Sequence, residues 1–598
     1  MAVLMFSSSW NDTFTNDEVP HLGAGFAYLR KSDYRLNPEH PPLMKDLGGA
    51  PLLLLKLHVD WNHKSWMEDP FGQWDFGWML IANSGKSADT ITRAAKAPLI
   101  VFTVALGLLI FWWTRQQFGD TAAMLALFFY TFSPTFLAHG RLVTTDVGAA
   151  AGLFVGTIGF LRFLKNPTWR NVALAGLAMG FAFLTKFSTI MLIPIALILS
   201  VAWTLADANP GRPGFFRFRT RPGGSFVAAF RAPHWLSSLW RCLKQTACIF
   251  ALSSLVVYAV YLHHILKYPA VRQQKDAEFT LNLYEVGGLS KQTVLWATGQ
   301  PVLRPWAEYL LGLVCTLQRS AKGNSLFFLG KIYENGSRLY FPFVYLVKEP
   351  LALHLLTILA VAAALYGAFF CVRRPVVQRE RRLERLRELL QAHFTEFALL
   401  AVIAIYWWAA IRSNLNIGVR HVLPSFPFIF ILVANQIARL RQRLLAPSAG
   451  RRRAAIWSFR LILGALLSWH AVSVLRVHPS YIAYFNEMAG GPDGGWRYVA
   501  DSNVDWGQDL KRLSQFVDQR GISQIHLDYF GAADPAYYLK GKYLGLSSCS
   551  EPVKGWVAVS AMSYPDSRRK PECDYRRWLP MEKLVTKIGY STFVFHIE

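Results

Sequence analysis

The chain has 598 residues, of which 53% are hydrophobic, 14% aromatic and only 17% charged, with a mean hydropathy of +0.23. An ordinary soluble domain carries about 25% charged residues, so lipid must replace the missing polar surface, and soluble multidomain readings are excluded. The formal charge of +25 does not argue for nucleic acid, because the bases are segregated between apolar runs in three clusters, Arg212 to Lys244, Arg373 to Arg387 and Arg439 to Arg453. That is the positive-inside pattern of cytoplasmic loops, and no nucleic-acid partner is expected.

In chain order, residues 1–93 come first and hold no signal peptide and no stretch of span length, since the opening Met-Ala-Val-Leu-Met-Phe is too short. Apolar stretches follow at 94–113, 121–138, 146–164, 172–185, 187–205, 245–263, 345–370, 396–411, 422–438 and 456–476, giving about ten spans in a transmembrane region over 94–476. Placing the basic clusters inside puts residues 1–93, the 139–146 loop, the Lys186 corner, a large loop at 264–344, the 412–421 loop and everything after 477 outside. With ten spans the N-terminus lies outside with no helix to carry it there, so the expectation is that a first transmembrane helix is missing or truncated. Residues 477–598 change to strand-like alternation, as in Ile525-His526-Leu527-Asp528-Tyr529-Phe530, Trp556 to Ser560 and Thr592 to His596, with a helical pattern from Asp509 to Gln519. This predicts a C-terminal α/β domain. Its Cys549 and Cys573, on the side where disulfides persist, are expected to pair, while Cys242, Cys248, Cys315 and Cys371 read as small apolar residues.

The candidate chemistry lies in the outer segments. Asp17-Glu18 is a carboxylate pair just outside the membrane, the residue types of a general base or a cation site, although a solvated loop with a helix cap at Asp17 is the plainer account. Further on stand Arg35, then Glu39-His40-Pro41-Pro42-Leu43-Met44-Lys45. Arg141 and Asp146 flank the next outer loop, Lys186 sits at a hairpin corner, and Arg420-His421 opens another span. Boundary bases ordinarily snorkel to headgroups; bases retained on the outer side are expected to meet an anion, and a lipid phosphate is the obvious one. Lys348-Glu349-Pro350 is read as an internal ion pair. Asp501 to Asp509 lacks the Gly and terminal Glu of a calcium loop and reads as a junction against the membrane.

The Asp17-Glu18 pair and the downstream Glu39-His40-Pro41-Pro42-Leu43-x-Lys45 resemble the first lumenal loop of the protein O-mannosyltransferases. More broadly they resemble the polyprenyl-phosphate-sugar-dependent glycosyltransferases of the GT-C fold, glycosyltransferase family 39, of bacterial type. The resemblance implies a polytopic α-helical membrane protein, GT-C-like, in the bacterial inner membrane, with its active site and C-terminal domain outside. It implies a polyprenyl-phosphate sugar donor, a protein, lipid or glycan acceptor, and inverting transfer. The implied catalytic residues are Asp17 as base with Glu18 and Asp146 assisting. Arg420, His421, Lys186, Arg141 and Arg35 would bind the donor phosphate, and Glu39, His40 and Lys45 belong to the loop motif. No nucleotide site is needed, and a divalent cation is left open. A transporter or flippase of lipid-linked sugars is the competing class, predicting inverted repeats and broken helices at the midplane.

Overall fold

The computed structural model describes residues 1–207, 234–372, 379–445 and 452–598. Among these, eight helices are long and apolar enough to cross a membrane: Ala88–Phe118, Asp146–Lys165, Phe187–Ala206, Trp235–His264, Leu351–Phe369, Phe394–Arg412, Leu423–Leu445 and Ala454–Leu475. Two shorter helices, Asp120–Thr131 and Trp169–Phe183, lie where spans were expected at 121–138 and 172–185. Of the expected cytoplasmic clusters, residues 212–233, 373–378 and 446–451 fall outside the described residues.

The expected 121–138 span is divided because Ser133 and Pro134 interrupt it. The Ser133 hydroxyl accepts from the Phe136 amide at 3.4 Å and Pro134, which has no N–H to give the preceding turn, begins a separate helix, Pro134–His139. The expected 345–370 span splits for a related reason. Glu349 precedes a proline and takes an extended conformation (φ −109°, ψ 152°), ending Tyr340–Lys348 before Leu351–Val372 starts. The expected Lys348–Glu349 ion pair does not form. Lys348 Nζ donates to the carbonyls of Ile482 and Asn503, both at 2.7 Å, while Glu349 Oε1 accepts from Ser133 at 3.1 Å and Thr135 at 2.7 Å.

Small residues set the helix spacing. A Cβ on Gly176 or Gly180 of Trp169–Phe183 would come within 2.7 Å of Leu252 or Val256, so their absence lets this helix close on Trp235–His264. Elsewhere the bundle shows apolar stripes to its surroundings, as at Ile358, Val361 and Leu365 of Leu351–Val372, each more than half exposed. In water such a stripe would be costly, whereas against lipid it is neutral.

The segments expected as loops are largely helical. Residues 1–93 contain Ala2–Ser9, Glu18–Lys31, Leu43–Gly49, Lys64–Met67 and Gln73–Ala82. Residues 264–344 contain Ala270–Leu283, Gly288–Thr298, Arg304–Lys322 and a hairpin of β1 (Leu326–Phe328) and β2 (Lys331–Tyr333). Glu18–Lys31 is buried all round from Glu18 to Tyr28, whereas Arg304–Lys322 buries mainly one face, with Ala307, Leu311 and Cys315 at four-residue spacing.

After Leu475 the chain passes through short turns into a five-stranded sheet of β3 (Ile525–Asp528), β4 (Tyr543–Gly545), β5 (Gly555–Ser560), β6 (Leu584–Ile588) and β7 (Thr592–Ile597), in the order β4-β3-β5-β7-β6. The β3 strand runs parallel to β4 and β5, and β7 antiparallel to β5 and β6. The helix Leu510–Gln519 buries Leu510, Leu513 and Val517 on this sheet's core. A disulfide joins Cys549 and Cys573, whose Cα atoms are 4.2 Å apart. Cys315 is buried as expected, but Cys248 is exposed on an apolar helix, and the Cys371 side chain lies outside the described residues.

Candidate active site

Asp17 occupies the N-cap position of Glu18–Lys31, yet its side chain makes no capping bond. Glu18 satisfies that helix start instead, its Oε2 accepting from the Thr15 amide at 2.8 Å and its Oε1 from the Val143 amide at 2.9 Å. Freed from capping, the Asp17 carboxylate turns to Arg420, whose Nη1 lies 3.0 Å from Asp17 Oδ2. The same Nη1 lies 3.6 Å from Asp146 Oδ2, and the other Asp146 oxygen accepts from Lys186 Nζ at 2.6 Å. Both carboxylates stand at helix N-termini, where the helix dipole favours negative charge.

Exposure separates the two acids. Asp146 is completely enclosed, whereas 26% of the Asp17 side chain is open. Only Asp17 can meet a reactant directly. The C-terminal segment forms the other wall: the Ser502 hydroxyl accepts from Arg420 Nε at 3.2 Å, and the guanidinium lies 4.1 Å from the centroid of the Trp506 ring. Asp501 faces the same charges, and burial raises its carboxyl to about 6, opposed by the Ser502 amide and by Arg420.

The structure therefore brings Asp17, Asp146, Lys186 and Arg420 into one cluster at one end of the helices and leaves other expected members out. Glu18 is fully buried beside Lys96 Nζ at 3.4 Å and supports the helix start without reaching the mouth. Arg141, expected to face the same mouth as Asp146, is buried against Asp12. Arg35 is spent on Asp33, at 3.1 and 2.6 Å, and on the Trp66 carbonyl at 2.9 Å. His421 adjoins the cluster, but burial holds its imidazole well below the usual range, with Lys186 and Arg420 adding to the effect, so it brings no positive charge.

The loop motif packs beneath the cluster. His40 lies 5.3 Å from His21, ring to ring, and burial keeps both imidazoles neutral at pH 7. Lys45 is buried, donating to Asn37 O at 2.6 Å and Tyr28 OH at 3.0 Å, and burial lowers its ammonium to about 7. Glu39 accepts from Arg319 Nη1 at 2.9 Å. Arg319 is not singled out by the sequence, and Asp501, Ser502 and Trp506 are read there only as part of a junction against the membrane. Arg319 is one base among several in 264–344, and nothing in the local spacing of 501–509 points to Arg420. Among the described residues no three His, Cys, Asp or Glu side chains come together as a metal-ligand set.

These elements describe a polytopic helical membrane protein with a charged cluster roofed by its C-terminal domain. Residues 87–210 match the family described as dolichyl-phosphate-mannose-protein mannosyltransferase, a stretch holding Asp146 and Lys186 but neither Asp17 nor Arg420. The match falls in the family that the loop motif resembles, from a part of the chain that does not contain that motif. No curated protein matches the chain. Among solved structures it is similar to ArnT from Cupriavidus metallidurans bound to undecaprenyl phosphate, at 12% identity over 99% of this chain and 96% of that one, with a TM-score of 0.40. It is also similar to the Archaeoglobus fulgidus oligosaccharyltransferase, at 15% identity over 79% of this chain and 55% of that one, with a TM-score of 0.41. Both likenesses are distant.

Proposed function

We propose that the protein is a membrane glycosyltransferase that moves a sugar from a polyprenyl-phosphate donor to an acceptor hydroxyl at the extracytoplasmic face of the bacterial inner membrane. The observation that carries this reading is the cluster itself: a partly open carboxylate, Asp17, on the same guanidinium as an enclosed one, Asp146, with Lys186 beside them.

Asp17 accepts the proton of the acceptor hydroxyl while that oxygen attacks the anomeric carbon. The bond from that carbon to the phosphate oxygen breaks, and the polyprenyl phosphate departs with the electron pair, gaining one negative charge. Attack opposite the leaving group inverts the anomeric centre. Arg420 and Lys186 supply fixed positive charge where this charge develops, in a site walled by Trp506 and thus partly dry. Asp146 holds the two cations in place from behind. Against transport stands the cluster's position: Asp146, Lys186 and Arg420 all lie at helix ends, where a transporter would hold its charges near the midplane.

The test is transfer from a synthetic polyprenyl-phosphate sugar in detergent. Asp17→Asn is expected to lower turnover at least about 10²-fold with donor affinity retained, since a general base contributes 10²–10⁴-fold. Equal turnover of the two proteins at saturating donor would remove the base from Asp17.

A further inference from the structure

A cleft of about 330 Å³ opens between Gln73–Ala82 and the C-terminal domain, at the small end of the range for ligand sites, about 300–1,000 Å³. One wall is Trp74 and Trp78, four residues apart and so on one face of that helix, with Asp75 between them; Asp534 and the Gly531-Ala532 turn form the other, and Asn16 closes the end. From this chemistry we infer that the cleft is the acceptor subsite and that the acceptor is a neutral carbohydrate. The inference rests on the glycosyltransferase reading above.

Asn16 directly precedes Asp17, and its backbone N–H donates to the Trp506 carbonyl at 2.8 Å, on the residue whose ring faces Arg420. Gly531 packs on Gly507, where a Cβ would lie 2.8 Å from the Gly531 Cα, so the cleft and the charged cluster share one stretch of backbone. An acceptor seated in the cleft thus contacts the residue next to the proposed base.

The lining chemistry then selects the ligand class. Trp78 is fixed by an edge contact to Tyr537, with centroids 5.9 Å apart, while Trp74 has neither an aromatic contact nor a hydrogen bond among the described residues. An aromatic face carries negative charge density and suits the C–H face of a pyranose. The side-chain amide of Asn16 and the Asp75 carboxylate likewise have no hydrogen-bond partner among the described residues. Asp534 spends one oxygen on the Ala536 amide at 2.8 Å and keeps the other. The carboxylates accept from hydroxyls and the Asn16 side chain both donates and accepts, a set that matches the donor and acceptor character of sugar hydroxyls. Among the described residues no basic side chain lines the cleft, and its two carboxylates repel phosphate or sulfate, so an anionic saccharide is excluded.

The test uses the full chain in detergent, with mannotriose, cellotriose and N-acetylchitotriose as neutral probes. Trehalose 6-phosphate and a Ser/Thr-containing nonapeptide serve as comparators. Binding is read by saturation-transfer NMR and titration, which needs no turnover. At least one neutral trisaccharide is expected to bind, about tenfold more weakly to Trp74→Ala and to Asp75→Asn/Asp534→Asn, in which an Asn keeps the cap. Trp74→Phe retains a ring and is expected to recover part of the loss, which separates stacking from misfolding. Asp17→Asn is expected to bind the sugar as the wild type does; its full transfer activity would overturn the base assignment and leave the subsite standing. Failure of all three neutral probes, equal binding by Trp74→Ala, or binding of the phosphosugar or peptide in a Trp74-dependent way would overturn the subsite.

Discussion

Arg420 holds two carboxylates from distant parts of the chain on one guanidinium, and it is 7% exposed. Removing it therefore has two effects that must be separated. Arg420→Ala is expected to weaken donor binding by about 1.5–3 kcal/mol, the worth of a hydrogen bond to a charged group, and to destabilise the protein by leaving Asp146 without its second cation. Arg420→Lys keeps the charge and loses the fork that reaches Asp17 and Ser502 together, so it should restore stability more fully than donor affinity. Donor titration beside thermal unfolding checks both; unchanged affinity in Arg420→Ala would return the residue to structure alone. The neighbouring Asp501 adds a pH dependence. Its carboxyl is raised to about 6 by burial, so it is neutral below that pH and negative above it, and the new charge competes with the donor phosphate for Arg420. Donor affinity should fall as pH rises through about 6, and the step should vanish in Asp501→Asn. A step that persists in the variant would assign it to another group. At this scale the sequence was legible where chemistry was sparse: Asp17, Asp146, Lys186 and Arg420 stand nearly alone at helix boundaries. Arg141 has the same local look, and only its distant partner, Asp12, shows that its charge is already used, whereas Arg35 is paired with Asp33 two residues before it.

The elements that position these side chains are short, and the shortest are the least legible. Long apolar runs announced the helices because lipid imposes both their length and their composition. The Ser133-Pro134 break was readable in principle, since both residues mark helix starts, yet the apolar run continues across it. The strands β4 and β6 were missed because they are sheet edges with exposed or half-exposed side chains, which removes the alternation that revealed β3, β5 and β7. The 413–418 stretch before Arg420 shows the limit most clearly. Gly418 has φ +157° and a Cβ there would run into the Ser502 hydroxyl, so a glycine in this loop serves a contact with a residue more than eighty positions away. Gly418→Ala should push Ser502 from Ile417 and Arg420, lowering donor affinity by about 1–3 kcal/mol, the usual cost of local backbone strain at a site. The replacement Gly418→Ala with Ser502→Gly should recover part of the loss, as measured by donor titration. Full affinity in the single variant would show that the loop absorbs the methyl group.

At the scale of the whole molecule the candidate site belongs to no single domain: the N-terminal segment supplies Asp17, three helix ends supply Asp146, Lys186 and Arg420, and the C-terminal segment supplies Ser502 and Trp506. Its integrity depends on the joint between the first and last parts of the chain. There the Thr13 amide donates to the Gln508 carbonyl at 2.9 Å, and Lys511 meets Asp89 at 2.7 Å. At the centre Asp12 is completely buried between Arg141 and Arg512, the latter at 2.7 Å. Against the upward push of burial, Arg141, Arg512 and Lys96 hold its carboxyl below the ordinary value. A depressed carboxyl stabilises the fold above its unfolded pKa, about 3.9, and loses that contribution as pH falls through its lower folded value. Asp12→Asn, which keeps the shape and an acceptor oxygen while stranding the buried Arg141 guanidinium, Arg512 retaining Asp509, should cost about 3–5 kcal/mol. Since the joint carries Trp506 toward Arg420, the same variant should weaken donor binding although Asp12 touches no reactant. Thermal unfolding with donor titration on one preparation measures both, and Asp12→Asn with wild-type stability and affinity would show that the backbone pairing and Lys511–Asp89 hold the joint without Asp12.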